Sequence, residues 1–121
     1  PQYSDGGQMR DFVYVKDCAN ALWWLLQRPT ANGVFNLGTG KARTWNDLIN
    51  AVFAAMDIKP NIEYIKMPEG LRNQYQYFTE AEMTKLQKAG CPVNFLSLED
   101  SVRDYVQNYL QKPDPHLGNL K

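Results

Sequence analysis

Apolar and polar residues along the chain form a pattern that predicts short strands between helices. The β-branched and aromatic run "DFVYV" at residues 11–15 is typical of a short strand, and so is "VFNL" at residues 34–37. The segment "IEYIKM" at residues 62–67 alternates between apolar and polar positions and predicts a third strand. Strands that alternate with helices indicate the α/β fold class.

Two helices are predicted in the first half of the chain from apolar spacing and from capping residues. Asp17 is placed to cap a helix over residues 18–28, "CANALWWLLQR". Thr44 and Asp47 resemble a capping box, with Asp in place of the usual Glu, at the start of a second helix.

Two more helices are predicted in the second half. Thr79 and Glu82 have the spacing of a capping box, and Gly90 is placed to stop the helix that would follow. Ser97 is placed to cap a last helix that reaches Leu110.

The helix over residues 18–28 is apolar on most of its surface, because residues 22–26 read "LWWLL". Such a helix needs cover on most sides. Three short strands do not provide that much cover. We therefore expect that these residues meet a partner or that the chain belongs to something larger.

The loop "FNLGTGKARTW" at residues 35–45 looks like a phosphate-binding loop but fails two spacing tests. A P-loop needs Gly five residues before the Gly-Lys pair and Ser or Thr after it, where this chain has Phe35 and Ala42. In the dinucleotide fingerprint G-x-G-x-x-G, Arg43 occupies the place of the third glycine. We interpret the glycines as residues that let the backbone turn after a strand.

Composition narrows the classes of function. The 121 residues carry 13 basic and 13 acidic side chains, so the net charge gives no support for binding nucleic acid or an anionic membrane. The longest apolar run, at residues 21–26, is too short to span a bilayer. Cys18, Cys91 and the single histidine, His116, do not have the spacing of a metal site. Two isolated cysteines fit a reduced, cytoplasmic setting best.

No catalytic residue is predicted. The sequence has no grouping of serine, histidine and carboxylate, and no tyrosine is followed by lysine four places later. Recognition residues are more promising. Arg10 follows a glycine turn, and its planar guanidinium is suited to a phosphate group, although an ion pair with Asp11 or with a surface carboxylate is an alternative. The loop "LRNQYQYFT" at residues 71–79 could bind a polar ligand through Tyr75, or could be a solvated loop with aromatic anchors.

Several motifs together resemble one superfamily. "MRDFVYVKD" at residues 9–17 and "GVFNLGTGKARTW" at residues 33–45 resemble the C-terminal part of the extended short-chain dehydrogenase/reductases. The pattern EYI-x-x-P-x-x-L-x-x-x-YQ-x-FT at residues 63–79 is more specific. It is similar to the nucleotide-sugar epimerases that act on ADP-heptose.

The resemblance implies an NAD(P)-binding Rossmann-like fold with a small substrate-binding domain. Residues 1–121 would be a C-terminal fragment, mostly the substrate-binding domain, with the N-terminal cofactor-binding part absent. NADP and the Tyr-x-x-x-Lys pair would belong to that part, so no cofactor is expected in this chain. The helix at residues 18–28 and the strand at residues 34–37 would pack against it.

The resemblance also implies a function and a site. The complete enzyme would invert carbon 6 of an ADP-heptose nucleotide sugar for the inner core of lipopolysaccharide, in the cytoplasm and as a homo-oligomer. Arg10 and Tyr75 match substrate-binding residues of the family, and Tyr3, Ser4 and Asp5 lie in a segment that lines the substrate site there. The fragment alone would be inactive. Two alternatives stay open: another epimerase or dehydratase, such as a UDP-sugar 4-epimerase, and a non-catalytic interaction module.

Overall fold

A computed structural model describes residues 5–72 and 74–114 of the chain. This part combines helices with a minimal antiparallel ladder, in agreement with the predicted α/β class. Its elements follow the order β1 Met9–Arg10, α1 Val15–Leu26, β2 Arg43–Thr44, α2 Trp45–Ala55, α3 Glu69–Arg72, α4 Thr84–Lys88 and α5 Leu98–Tyr105, and α5 continues as a π-helical segment, Val106–Leu110.

The main core lies between α2 and α5. Small side chains on α2 allow the two helices to approach closely, and branched side chains of α5 fill the space between them. Gln107 Nε2 donates to the carbonyl oxygen of Ala55 at 2.9 Å and joins the π-helical segment to the end of α2. The buried cluster consists of Ala51, Ala55, Leu98, Val102 and Val106, with Phe12, Leu48 and Val52 packed against it.

Two predicted helix starts are confirmed. Thr44 Oγ1 accepts from the backbone N–H of Asp47, and Asp47 Oδ2 accepts from the backbone N–H of Thr44, both at 3.0 Å, so the capping box at α2 is complete. Ser97 Oγ accepts from the backbone N–H of Asp100 at 3.1 Å and caps α5. These caps involve residues three apart, which explains why the sequence alone revealed them.

The predicted cap at Asp17 is wrong. Helix α1 begins at Val15, and Tyr14 is its N-cap without a side-chain cap hydrogen bond. Asp17 is buried in the first turn, where its carboxylate accepts from the backbone N–H of Leu96 at 2.8 Å. A contact with a distant part of the chain has therefore replaced the local cap that the sequence suggested.

The predicted capping box at Thr79 and Glu82 is also wrong. Helix α4 begins at Thr84, whose backbone N–H donates to Glu82 Oε1 at 3.0 Å. The backbone N–H of Thr79 donates instead to the carbonyl oxygen of Met9 at 3.2 Å, so Thr79 belongs to the backbone pairing with β1. The predicted stop at Gly90 is confirmed, because α4 ends just before it and Gly90 has a φ of +85°.

The three predicted strands at residues 11–15, 34–37 and 62–67 are wrong within the described chain. None of these segments is paired as a strand there. The observed ladder is short and lies elsewhere: β1 pairs with β2, and Met9 also bridges to Phe78 on its other side. β-branched content makes a segment suitable for a strand, but a strand forms only where a second backbone offers hydrogen bonds.

Helix α1 differs from α2 and α5 in that its apolar side chains are largely exposed. The exposed fractions are 57% for Leu22, 62% for Trp23 and 74% for Leu26. Within the described residues, these side chains of α1 are thus not covered, as expected from the sequence. Within residues 5–72 and 74–114, no helix has both the length and the apolar character needed to cross a membrane.

Candidate functional site

Two of the residues predicted to bind substrate lie in contact. The guanidinium carbon of Arg10 is 5.2 Å from the centre of the Tyr75 ring, a cation–π distance. The backbone of Arg10 is held in β1, and its Nη1 donates to the carbonyl oxygen of Met9 at 2.8 Å. This contact could not be deduced from spacing, because it joins the start of the chain to a loop far along it.

Tyr75 is held by further aromatic side chains. Trp45 Nε1 donates to the Tyr75 hydroxyl oxygen at 3.2 Å, and the Tyr77 ring meets the Tyr75 ring edge-on at 5.2 Å. Phe12 meets Trp45 edge-on, also at 5.2 Å. We call these five residues, Arg10, Phe12, Trp45, Tyr75 and Tyr77, the Arg–aromatic cluster. Trp45 was not predicted to belong to the site from the sequence. Its position directly after a helix cap indicates only the start of a helix, not a contact with Tyr75.

The third candidate among the described residues, Asp5, is joined to this cluster by a backbone contact with Asn46, the residue after Trp45. Asn46 Nδ2 donates to the carbonyl oxygen of Asp5, and the backbone N–H of Asn46 donates to that of Gly6, both at 3.0 Å. Gly6 has a φ of +68°, and a Cβ there would lie 2.0 Å from Asn46 Oδ1. The turn therefore needs glycine. The candidates Tyr3 and Ser4 lie outside the described residues.

The cluster has the chemistry of an anion site. The alternative of an ion pair between Arg10 and Asp11 is wrong, because Asp11 bonds elsewhere, and Arg10 forms no ion pair within the described part of the chain. A half-buried guanidinium that faces an aromatic ring keeps N–H groups for a carboxylate or phosphate.

The carboxylate of Asp11 accepts hydrogen bonds from the donor groups of the Gly-Thr-Gly loop. Its carboxylate accepts from the backbone N–H and the hydroxyl of Thr39, at 2.8 and 2.6 Å, and from the N–H of Gly40 at 2.9 Å and of Ala81 at 3.1 Å. Burial raises the pKa of Asp11, but the hydrogen bonds from Thr39, Ala81 and Gly40 outweigh it, so the pKa lies below its usual value.

The loop therefore does not fit the phosphate group of a cofactor. The amide hydrogens that would hold a phosphate already bind a carboxylate of the same chain. A Cβ at Gly38 would lie 2.5 Å from both Ala81 Cβ and Asp11 Oδ2, so this glycine is needed for internal packing. This agrees with the interpretation of the loop as a turn.

A second polar cluster joins α1 to α5 and does not have the properties of a catalytic pair. The Tyr14 hydroxyl donates to the carboxylate of Asp104, and Lys16 Nζ lies 2.6 Å from Asp104 Oδ2. Burial and the neighbouring Asp104 raise the pKa of Tyr14 to about 12. A tyrosine that exchanges protons near neutral pH needs the opposite shift. Within the described ranges, no three His, Cys, Asp or Glu side chains could hold a metal ion.

Comparison with known proteins gives a consistent result. The NAD dependent epimerase/dehydratase family matches residues 1–38. The chain is 68% identical over 117 residues to the ADP-L-glycero-D-manno-heptose-6-epimerase of Nitratidesulfovibrio vulgaris. The aligned segment makes up 97% of this chain and 36% of that protein. It is 45% identical over 121 residues to the protein of the same name from Fusobacterium nucleatum, with coverages of 95% and 36%.

The chain thus spans about a third of the length of the curated relatives that it matches. The predicted resemblance to nucleotide-sugar epimerases is confirmed by these matches. The roles of Arg10, Tyr75 and Asp5 in binding remain predictions.

Proposed function

We propose that this chain, which is homologous to ADP-L-glycero-D-manno-heptose-6-epimerases along nearly its whole length, is the substrate-binding portion of such an enzyme. The complete protein would interconvert ADP-D-glycero-D-manno-heptose and ADP-L-glycero-D-manno-heptose, which differ at carbon 6. The product would serve the inner core of lipopolysaccharide. The names of the relatives support this substrate over that of a UDP-sugar 4-epimerase.

The contact between Arg10 and Tyr75 is the observation that carries the proposal. The substrate contains a diphosphate with two negative charges, and a planar guanidinium can meet phosphate oxygens with paired hydrogen bonds. The Tyr75 ring holds the guanidinium from one face. In this arrangement Arg10 binds the diphosphate and Tyr75 fixes the direction of Arg10. Asp5 would line the same site from the turn held by Asn46. The family resemblance also assigns Tyr3 and Ser4, which lie outside the described residues, to this site.

The cofactor would be held outside this chain. The described loop that most resembles a phosphate-binding loop is occupied by Asp11. We therefore assign residues 1–121 to the C-terminal part of an extended short-chain dehydrogenase/reductase, and NADP to a Rossmann-like domain in the remaining two-thirds of the protein. The apolar face of α1 and residues 34–37 would pack against that domain. The complete enzyme would be a cytoplasmic homo-oligomer.

A non-catalytic interaction module is the second candidate. It is favoured only by the exposure of Leu22, Trp23 and Leu26 on α1. A docking surface for another protein and an interface with a second domain would both expose apolar side chains in the isolated chain. The identity with named epimerases makes the domain interface the better explanation.

Turnover with defined nucleotide sugars tests the proposal. The full-length protein, incubated with ADP-D-glycero-D-manno-heptose, should yield the L-glycero epimer, separable by chromatography. UDP-galactose should not react. The 121-residue chain should give no product and should not bind NADP. Turnover by the 121-residue chain alone, or conversion of UDP-galactose in place of the ADP-heptose, would contradict the proposal.

A further inference from the structure

Trp45 is placed to control the hydroxyl of Tyr75. It is the first residue of α2, and the capping box of Thr44 and Asp47 fixes the backbone there. Its indole Nε1 donates to the Tyr75 hydroxyl oxygen at 3.2 Å, while Phe12 supports the indole from the side. Trp45 is half-buried, so the position of its ring is set by packing as well as by the hydrogen bond.

The direction of this hydrogen bond has a chemical consequence. Indole N–H can only donate, so the Tyr75 oxygen is the acceptor. A phenol that accepts one hydrogen bond keeps its own hydrogen to donate to a different group. Arg10 lies over the ring of the same tyrosine, and its guanidinium is also a donor only. The Tyr75 hydroxyl hydrogen and the guanidinium N–H groups are therefore donors within one cluster, and a diphosphate offers several acceptor oxygens to such a pair.

We propose that Trp45 is a positioning residue of the substrate site: it orients the Tyr75 hydroxyl so that this group donates to the nucleotide diphosphate beside Arg10. The inference rests on the proposed function. Trp45 does not itself touch the substrate in this scheme, since its N–H is used by Tyr75. The competing explanation is that Trp45 only packs under Tyr75 and Phe12.

Steady-state kinetics of four forms of the full-length enzyme separate the two explanations: wild type, Trp45→Phe, Tyr75→Phe and the double variant. Phenylalanine keeps an aromatic ring at position 45 but cannot donate. Trp45→Phe should raise KM for the ADP-heptose about fivefold and leave kcat nearly unchanged, the size of one neutral hydrogen bond. Tyr75→Phe should have at least the same effect. In the Tyr75→Phe background, Trp45→Phe should add little, because the hydroxyl on which it acts is gone.

A packing role gives a different result. Trp45→Phe would then raise KM by the same factor in both backgrounds, or would leave KM unchanged, and either outcome overturns the proposal. Tyr105→Phe removes an exposed hydroxyl on α5 and serves as the control. If Trp45→Phe lowers the melting temperature, 3-benzothienylalanine at position 45 keeps the bicyclic shape without the N–H, and the same KM comparison applies.

The design also distinguishes failure of the inference from failure of the proposed function. If Arg10→Ala and Tyr75→Phe both leave KM for the ADP-heptose unchanged, the Arg–aromatic cluster is not the substrate site, and both proposals fall. If these two variants raise KM but Trp45→Phe behaves as wild type, the site stands and the role of Trp45 falls.

Discussion

Helices α1 and α5 both carry large apolar side chains, but these side chains have different surroundings. Leu98 and Val102 of α5 are buried against α2, with exposed fractions of 6% and 9%. Leu26 of α1, on the other hand, is 74% exposed. The difference lies in what the chain places opposite each helix. Helix α5 meets the small residues of α2, whereas the described chain puts no comparable surface on the outer side of α1.

The comparison shows that amphipathic spacing predicts a helix but not what covers it. The α2–α5 pair forms a core from its own residues. Helix α1 is attached to that core through polar contacts at its first turn, by Asp17 to Leu96 and by Tyr14 and Lys16 to Asp104. Ala21 is buried within the chain, and the exposed apolar side chains Leu22, Trp23 and Leu26 are left for a partner, which we propose to be the cofactor domain.

Replacing one leucine on each helix by alanine should give the largest difference between α5 and α1, measured as the loss in free energy of unfolding. Leu98→Ala should lower the free energy of unfolding by about 2–5 kcal/mol, because it opens a cavity in the core. Leu26→Ala in the 121-residue chain should change it by less than about 0.5 kcal/mol, since the side chain is exposed. Urea denaturation measures both. In the full-length enzyme, Leu26→Ala should become costly if the cofactor domain covers α1. A similar small effect in both forms would show that α1 stays uncovered.

Removal of the Arg10 guanidinium should weaken substrate binding at the Arg–aromatic cluster. Arg10→Ala in the full-length enzyme should raise KM for the ADP-heptose about ten- to a hundredfold, the value of charge-assisted hydrogen bonds worth about 1.5–3 kcal/mol. Arg10→Lys should recover only part of this loss, since an ammonium lacks the planar fork. If kcat falls as well, Arg10 also contributes to orienting the sugar. Wild-type kinetics with an unchanged melting temperature would remove Arg10 from the site.

The exposed face of α1 should make the isolated 121-residue chain associate with itself. A contiguous apolar surface of this kind drives association in water. Trp23→Gln should weaken self-association about tenfold or more in sedimentation experiments, whereas Ile65→Gln, which changes an exposed residue outside α1, should have a smaller effect. A stable monomer at high concentration of the unsubstituted chain would contradict the expectation.

The last prediction concerns Asp11, which joins the end of β1 to the Gly-Thr-Gly loop and to Ala81. Its folded pKa lies below the usual 3.8, so its contribution to stability is complete above that pH and is lost as the pH falls through the lowered value. Asp11→Asn should lower the free energy of unfolding at neutral pH by about 1–3 kcal/mol, since at least one half-buried amide loses its acceptor.

Comparison of the two unfolding curves against pH checks this. The difference between wild type and Asp11→Asn should be constant above about pH 5 and shrink as the pH falls below that value. Subtraction also removes the contributions of Asp47 and Asp104, whose pKa values are lowered too. A difference that does not depend on pH would show that the charge of Asp11 is unimportant.

Local chemistry made part of this structure predictable. The capping box at Thr44 and the cap at Ser97 depend on residues three positions away, so both were found in the sequence. The glycine stop after α4 was also predicted from neighbouring residues. The resemblance to nucleotide-sugar epimerases was found from short motifs such as "MRDFVYVKD". Arg10 and Tyr75 were selected through these motifs.

Contacts between distant segments decided the rest. Asp17 and Thr79 were predicted to cap helices, but Leu96 and Met9 provide tertiary partners for them. The three predicted strands have suitable residues but no strand pairing in the described chain. Trp45 became part of the candidate site only because the fold brings it to Tyr75. A sequence determines which hydrogen bonds and apolar faces a segment offers, whereas the tertiary structure determines which partner accepts them, because that depends on groups far apart in the chain.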